Sequence, residues 1–377
     1  WGKNLPVVVT VGGQASSPFN YTYAAAYVQS ISTSAPSTLA GCSATVGCGP
    51  TSGRTAFVDP VTLISTPGDV INVTLVGSNF GLQGSVELRP RCAPIDPAAA
   101  RQCDPTEATV FVDSSSIFSY NHTTVIFAMP EGAGANLRVV LVVGGQDSDP
   151  ASPVSFTYNP PNILALGSGV DGRTPQTCAT RVQAIFVGTG SRRILVNKTI
   201  PPAYPGCFPT MSDPATLLRL TGESFGSSKF PAVVTVGGKA CAIRSHSHNE
   251  IVCFLPNGMG DNVPVVVVVG GRANAMTPPS FLAYDAPLVL NFMPNTPDAG
   301  VGQAIEVIGH NFGPIASTAV VTIGGVPCSK DETPGLAEWI GDDRLRCITL
   351  PDTVGPKNVS VLAANRSTPF LFIEQDN

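Results

Sequence analysis

Short runs in which apolar and polar residues alternate, each closed by glycine or proline, recur along the chain and predict β-strands rather than helices. A β-branched run followed by Gly-x-Asn/Ser-Phe-Gly comes three times: Val73-Thr74-Leu75-Val76-Gly77-Ser78-Asn79-Phe80-Gly81, Leu217-Leu218-Arg219-Leu220-Thr221-Gly222-Glu223-Ser224-Phe225-Gly226 and Ile305-Glu306-Val307-Ile308-Gly309-His310-Asn311-Phe312-Gly313. Glycines flanking Asn or Ser suit a tight turn with positive φ, where a Cβ is unfavourable. The Phe between them is placed to tuck into the end of a sandwich core. A valine-rich strand ending in Gly-Gly also comes three times, over 7–13, 139–145 and 265–271. Each is followed by an aromatic, alternating strand: Phe19-Asn20-Tyr21-Thr22-Tyr23, Val154-Ser155-Phe156-Thr157-Tyr158 and Phe281-Leu282-Ala283-Tyr284. Strand, Gly-Gly turn and strand read as a hairpin.

A third pattern lies between these two. Val234-Thr235-Val236-Gly237-Gly238-Lys239-Ala240-Cys241 is echoed by Val321-Thr322-Ile323-Gly324-Gly325-Val326-Pro327-Cys328. In both copies a cysteine returns on the next strand, at Cys253 and Cys347, and a proline ends that strand, at Pro256 and Pro351. Strands of this length and punctuation predict an antiparallel β-sandwich. In this order the three patterns resemble the IPT/TIG family of immunoglobulin-like domains, found in cell-surface receptors, transcription factors and extracellular fibre proteins. The resemblance covers most of the chain and implies an all-β fold of tandem immunoglobulin-like (IPT/TIG) β-sandwich domains.

The repeats divide the chain into 24–160, 161–285 and the compact 286–377, preceded by an incomplete copy at 1–23. The first two exceed a typical family member through insertions before the Phe-turn, at 29–62 and about 165–212, expected to be stapled loops or hairpins. Residues 1–23 match only the end of a repeat: they carry the Val-Gly-Gly and aromatic strands but lack the Phe-turn, the central strands and a cysteine couple. An isolated hairpin is marginal in water, and one this apolar leaves edges that invite association. Its completion is expected either from upstream sequence or from an incomplete sandwich of a neighbouring molecule.

Composition places this array outside the cell. Only 12% of residues are charged, about half the common share of about 25%. The 38 glycines and 35 prolines demand frequent turns, while 43% apolar residues suffice for a core. A net charge of −5 argues against a nucleic-acid partner, which favours a basic surface. No apolar run approaches the roughly 18 residues of a membrane-spanning helix; the longest, Val263 to Val269, contains Pro264. Trp1 is an unusual initiator, so a processed chain whose signal peptide has been removed is expected. Ten cysteines fall in order as five neighbouring couples: Cys42 and Cys48, Cys92 and Cys103, Cys178 and Cys207, Cys241 and Cys253, Cys328 and Cys347. Sequence does not fix connectivity, but none has the Cys-x-x-Cys spacing of a zinc site, and disulfides in an oxidising compartment are the expectation. Asn-x-Ser/Thr acceptors at Asn20, Asn72, Asn121, Asn197, Asn358 and Asn365 agree with covalent glycans there.

Candidate chemistry adds little. Gly222-Glu223-Ser224-Phe225-Gly226 satisfies the Gly-x-Ser-x-Gly nucleophile elbow, but Asn79 and Asn311 occupy the serine position in the other copies. His246 and His248 alternate and would suit one face of a metal site; with no third ligand in sight they are expected to be a solvated pair. His310 sits in the variable slot of the Phe-turn and is expected to be exposed. Asp147 and Asp149, and less so Asp342 and Asp343, are weighed for calcium against a plain polar turn. No catalytic residue, metal or cofactor is implied. Pro160-Pro161, Pro201-Pro202 and Pro278-Pro279 favour stiff connections, and with the Ser-Pro and Thr-Pro steps are candidate O-glycan sites if the source hydroxylates proline. The expected object is an extracellular rod that partners copies of itself as a surface fibre, or else a fragment of an adhesion-receptor ectodomain. The acidic balance and the acceptors speak against transcription-factor use of the fold.

Overall fold

The structure, a computed structural model, describes residues 2–34, 42–58, 65–90, 109–168, 181–187, 194–200, 207–208, 210–211, 216–260, 262–294, 302–314, 319–330, 333–334, 336–348, 357–363, 366–367 and 371–373. The regular elements there are β-strands and one short 3-10 turn at Ser114–Ser116.

Three two-sheet arrangements follow one another. In the first, one sheet runs Tyr27–Thr33, Asn72–Ser78, Thr124–Ala128, Ile117–Tyr120, and the other Val46–Gly49, Ser155–Tyr158, Leu137–Val143, Ser85–Arg89, Val110–Phe111. The second repeats this order with Asn162–Ser168, Leu217–Glu223, Glu250–Phe254, Ala242–His246 against Cys207–Phe208, Phe281–Tyr284, Val263–Val269, Ala232–Val236, Lys239–Ala240. The third places Leu288–Met293, Ala304–His310 and Arg344–Ile348 against Val320–Ile323, Lys357–Ala363 and Leu371–Ile373. Alternation in the sequence becomes alternation in burial. Val73, Leu75, Val125 and Phe127 face Val86, Leu88, Val139, Leu141 and Phe156 across the first core, while the neighbours along Asn72–Ser78 and Thr124–Ala128 are less buried. Burying such rows is the main stabilising contribution, roughly 25 cal/mol per Å² of apolar surface.

The three Phe-turns are one structure. Phe80, Phe225 and Phe312 are completely buried. Positive φ falls on Asn79 (61°), Ser224 (59°) and Asn311 (60°), and on the glycine after each Phe. Asn and small polar residues tolerate this conformation best among residues with a Cβ. The first glycine of the motif serves another purpose than the expected one. A Cβ on Gly77, Gly222 or Gly309 would stand on the carbonyl oxygen of Tyr27, Asn162 or Leu288, and would also meet the Phe ring. Glycine is there for close approach, not for its freedom in φ.

Every Gly-Gly pair has positive φ at both positions, for example Gly144 (57°) and Gly145 (75°), or Gly270 (54°) and Gly271 (72°). That is the type I′ turn, whose twist matches the flanking strands. The returning strand is broken: Gln146–Asp147 pairs with one end of Leu137–Val143 and Ser155–Tyr158 with the other.

The supposed insertions are partly the opening strands of the modules. Tyr27–Thr33 and Asn162–Ser168 lie beside the Phe-turn strands, and Val46–Gly49 and Cys207–Phe208 run parallel to the closing aromatic strands. Among the described residues of these insertions, only the hairpins Arg54–Val58 with Ser65–Val70 and Arg181–Val187 with Ile194–Ile200 are additions to the sandwich order. The opening strands carry neither the Phe-turn nor a Gly-Gly turn, which is why the sequence hides them.

Disulfides link Cys42 to Cys48, Cys241 to Cys253 and Cys328 to Cys347. The last two bridge the same corner, where the chain leaves one sheet for the other after Lys239–Ala240 and after Val326–Pro327. Closing loops of this size contributes about 3 kcal/mol each in the chain-entropy view. Cys92, Cys103 and Cys178 lie outside the described residues, as does the side chain of Cys207.

Candidate assembly surface

Residues 2–23 form a folded hairpin with the same internal register as the closing hairpins of the complete modules. Leu5 pairs with Tyr21 as Leu137 pairs with Phe156 and Val263 with Leu282. Tyr23 N–H donates to Gly2 O (3.0 Å) as Tyr158 N–H does to Gly134 O and Tyr284 N–H to Gly260 O (both 2.9 Å). Val9 N–H donates to Ser16 Oγ (3.0 Å), matching Leu141 to Ser148 Oγ (3.1 Å) and Val267 to Asn274 Oδ1 (2.7 Å). Tyr21 and Tyr23 meet edge to face at 5.1 Å, as Phe156 and Tyr158 do at 5.0 Å.

What differs is the covering. Val9, Val11 and Tyr21 are 61%, 74% and 50% exposed, whereas Leu141, Val143 and Phe156 at the same positions are 0%, 4% and 1% exposed. Leu5, Val7, Phe19 and Tyr23 are exposed as well. An apolar row that is core in one copy thus faces outward in another. Contiguous exposed apolar surface of this kind marks an interaction site.

The hairpin also sits on the next module as complete modules sit on theirs. A Cβ on Gly2 would lie 3.4 Å from Gly144 O, while one on Gly270 would strike Gly134 and Ala133. Between the modules at 24–160 and 161–285, Thr51 Oγ1 lies 3.0 Å from His248 Nδ1 and accepts the Gly226 N–H (3.3 Å). His248 Nε2 is 3.2 Å from Glu131 Oε1, and Arg272 Nη1 donates to Tyr158 O (3.0 Å). Since Thr51 Oγ1 already accepts from Gly226, its hydroxyl is free to donate to a neutral Nδ1 while Nε2–H donates to Glu131. At the following junction Thr210 Oγ1 donates to Asp342 Oδ1 (2.6 Å), which also accepts the Gly313 N–H (2.7 Å).

These contacts correct the reading of the histidines. His246 and His248 are half-buried and face separate partners: His246 Nε2 bonds Phe225 O (2.6 Å), just as Tyr120 Oη donates to Phe80 O (2.7 Å). His310 is exposed. Asp147 is held by Arg89 of another strand (2.6 Å), and Asp149 Oδ1 accepts the Ala151 N–H (2.8 Å) within a polar turn. Asp342 belongs to the junction just described, beside Asp343. Among the described residues no group of three His, Cys, Asp or Glu is arranged to hold a metal. Ser224 is buried in a strand-to-strand turn, not on a strand-to-helix elbow. Asn20, Asn72 and Asn121 are exposed, and Asn121 Oδ1 accepts the Thr123 and Thr124 N–H groups. Asn365 and the side chains of Asn197 and Asn358 lie outside the described set.

Sequence reasoning missed Thr51 and Thr210. A signal existed in Cys48-Gly49-Pro50-Thr51 and Cys207-Phe208-Pro209-Thr210, but nothing local says what the threonine meets.

Burial holds the His248 imidazolium below the ordinary value of 6.5, against the opposing pull of Glu131. A depressed folded-state value means that folding favours the neutral ring, so this contribution is complete at pH 7 and above. It is lost as pH falls below 6.5 through the depressed value. The unfolding midpoint of this module pair should therefore drop between pH 7 and 5 by more than that of a His248→Asn variant; parallel profiles would contradict the assignment.

The IPT/TIG domain family matches residues 205–284 and 287–372. Fibrocystin-L of Homo sapiens is 24% identical over 131 residues, which are 34% of this chain and 3% of that protein. The chain therefore spans a small fraction of the curated relative that it matches. Among solved structures, a surface glycan-binding protein from Prevotella bryantii aligns at 13% identity and TM-score 0.30, covering 50% of this chain and 40% of that one. The extracellular region of plexin A4 aligns at 17% identity and TM-score 0.21, covering 81% and 31%. Superpositions this loose carry no weight; the family match does, and by it the chain carries two IPT/TIG domains, at residues 205–284 and 287–372.

Proposed function

We propose that the chain is an extracellular structural glycoprotein, a subunit of a surface fibre assembled head to tail by β-strand complementation, with no catalytic role. The observation that carries this reading is the uncovered inward row of the 2–23 hairpin. Covering Val9, Val11, Phe19 and Tyr21 with the front half of an immunoglobulin-like module removes apolar surface from water and pairs open strand edges. Joined in one direction, such a contact propagates rather than closes. Disulfides fit an oxidising, extracellular setting, and exposed Asn20, Asn72 and Asn121 are available to glycans. A copy of this chain would offer such a front half by releasing one of its closing hairpins. Deleting residues 1–23 is expected to abolish concentration-dependent association and fibrils in electron micrographs; fibrils of unchanged length would end this reading.

One observation favours a second reading. Each described sandwich already holds a closing hairpin, at Leu137–Val143 with Ser155–Tyr158, Val263–Val269 with Phe281–Tyr284, and Lys357–Ala363 with Leu371–Ile373. On that basis the front half belongs to the same polypeptide, and these repeats are part of a longer adhesion-type ectodomain. Residues 1–377 alone would then stay monomeric at all concentrations.

A further inference from the structure

The two complete junctions bring corresponding residues together, although the glycine after the Phe donates to the threonine hydroxyl at the first (Gly226 to Thr51 Oγ1) and to the carboxylate at the second (Gly313 to Asp342 Oδ1). Phe225 N–H donates to His248 O (3.0 Å), Phe312 N–H to Asp342 O (2.9 Å) and Phe80 N–H to His122 O (3.0 Å). Gly222, Gly309 and Gly77 N–H groups donate in turn to Asn249, Asp343 and Thr123. His122 is therefore the counterpart of His248 and Asp342. On the other side, Gly132 N–H donates to Thr51 O (3.0 Å) and Gly258 N–H to Thr210 O (2.9 Å), so the two threonines occupy one position in their modules. At each complete junction this threonine hydroxyl meets the His248 or Asp342 position beside the glycine of the Phe-turn. At the hairpin junction Gly2 already rests on Gly144, yet His122 is exposed.

We infer that His122 and the Phe80 turn form the receiving half of this same joint, and that the module half completing residues 2–23 brings a hydroxyl side chain onto His122. The inference rests on the completion reading above and adds the partner's chemistry. The occupant is the front half of an IPT/TIG-type module. Its opening strand runs parallel to Phe19–Tyr21, as Val46–Gly49 runs beside Ser155–Tyr158, and its threonine-type residue follows that strand as Thr51 does. A proline carbonyl placed like Pro130 O, which accepts the Tyr158 hydroxyl at 3.0 Å, receives the Tyr23 hydroxyl. The joint makes the completed module rigid on its neighbour and sets the direction in which the array continues.

The test supplies that half from the chain itself. Residues 24–133 are fused ahead of Gly2 of the full chain, so that the added copy of Thr51 falls opposite His122. Amide exchange in residues 5–23 reports completion, and residual dipolar couplings report whether the completed module and the 24–160 module share one alignment. The expected result is protected hairpin amides and one alignment. Substituting Thr51→Val in the added copy, or His122→Ala, is expected to lose the common alignment while the hairpin stays protected. Protected amides with an alignment that ignores both substitutions would overturn the joint and leave completion standing. Unprotected hairpin amides would overturn both.

Discussion

Replacing Phe225 with alanine is expected to cost the 161–285 module about 3–5 kcal/mol, the range for truncating a buried Phe to Ala. That is a large part of what a domain of this size possesses. The ring is fully buried, and the backbone around it leaves little room to collapse: Ser224 is held at φ 59° and Gly222 lies against the ring and the Asn162 carbonyl. The cavity would remain open. Urea unfolding followed on this module should show the loss, with Phe225→Leu losing less because more of the volume stays filled. A change below about 1 kcal/mol would mean that the turn closes without its Phe, and the shared logic of the three turns would fail.

A paired experiment at one structural position has the second large effect. Val9 and Leu141 hold the same place in their hairpins, one exposed and the other in the core. Leu141→Asp buries a carboxylate with no partner and is expected to unfold its module, a loss beyond about 4 kcal/mol. Val9→Asp is expected to leave the melting of the three sandwiches within about 0.5 kcal/mol and to eliminate association through the hairpin, because the charge would have to be buried on completion. Calorimetry and analytical ultracentrifugation of the two variants separate these outcomes. Equal destabilisation by both would show that Val9 is already core in the isolated chain. Unimpaired association of Val9→Asp would show that the exposed row is not the contact surface.

What could be read from the sequence was what is written locally. The Phe-turn and the Gly-Gly hairpins depend on residues within a few positions of one another, and both have the structures their residue types require. The exposed hairpin at 2–23 was legible for the same reason, as a pattern that starts in its middle. The role of Gly77, Gly222 and Gly309 was not, because the atom each glycine avoids belongs to a strand far along the chain. The opening strands Tyr27–Thr33 and Val46–Gly49 look like insertion in the sequence, since strand pairing is a tertiary fact and neither carries the Phe-turn or a Gly-Gly turn. Least legible was the joint. Thr51 and His248 are 197 residues apart, and no periodicity connects them. The absence of a third ligand points to a solvated pair at His246 and His248, but the Phe225 carbonyl within the module holds the first and Thr51 and Glu131 of the neighbouring module hold the second.

Amide hydrogen exchange of residues 5–23 in native, assembled material tests most directly whether a foreign module half covers this hairpin. Slow exchange matching that of residues 137–158 is predicted there, with rapid exchange once the assembly is dissociated. Rapid exchange in both states would contradict the account.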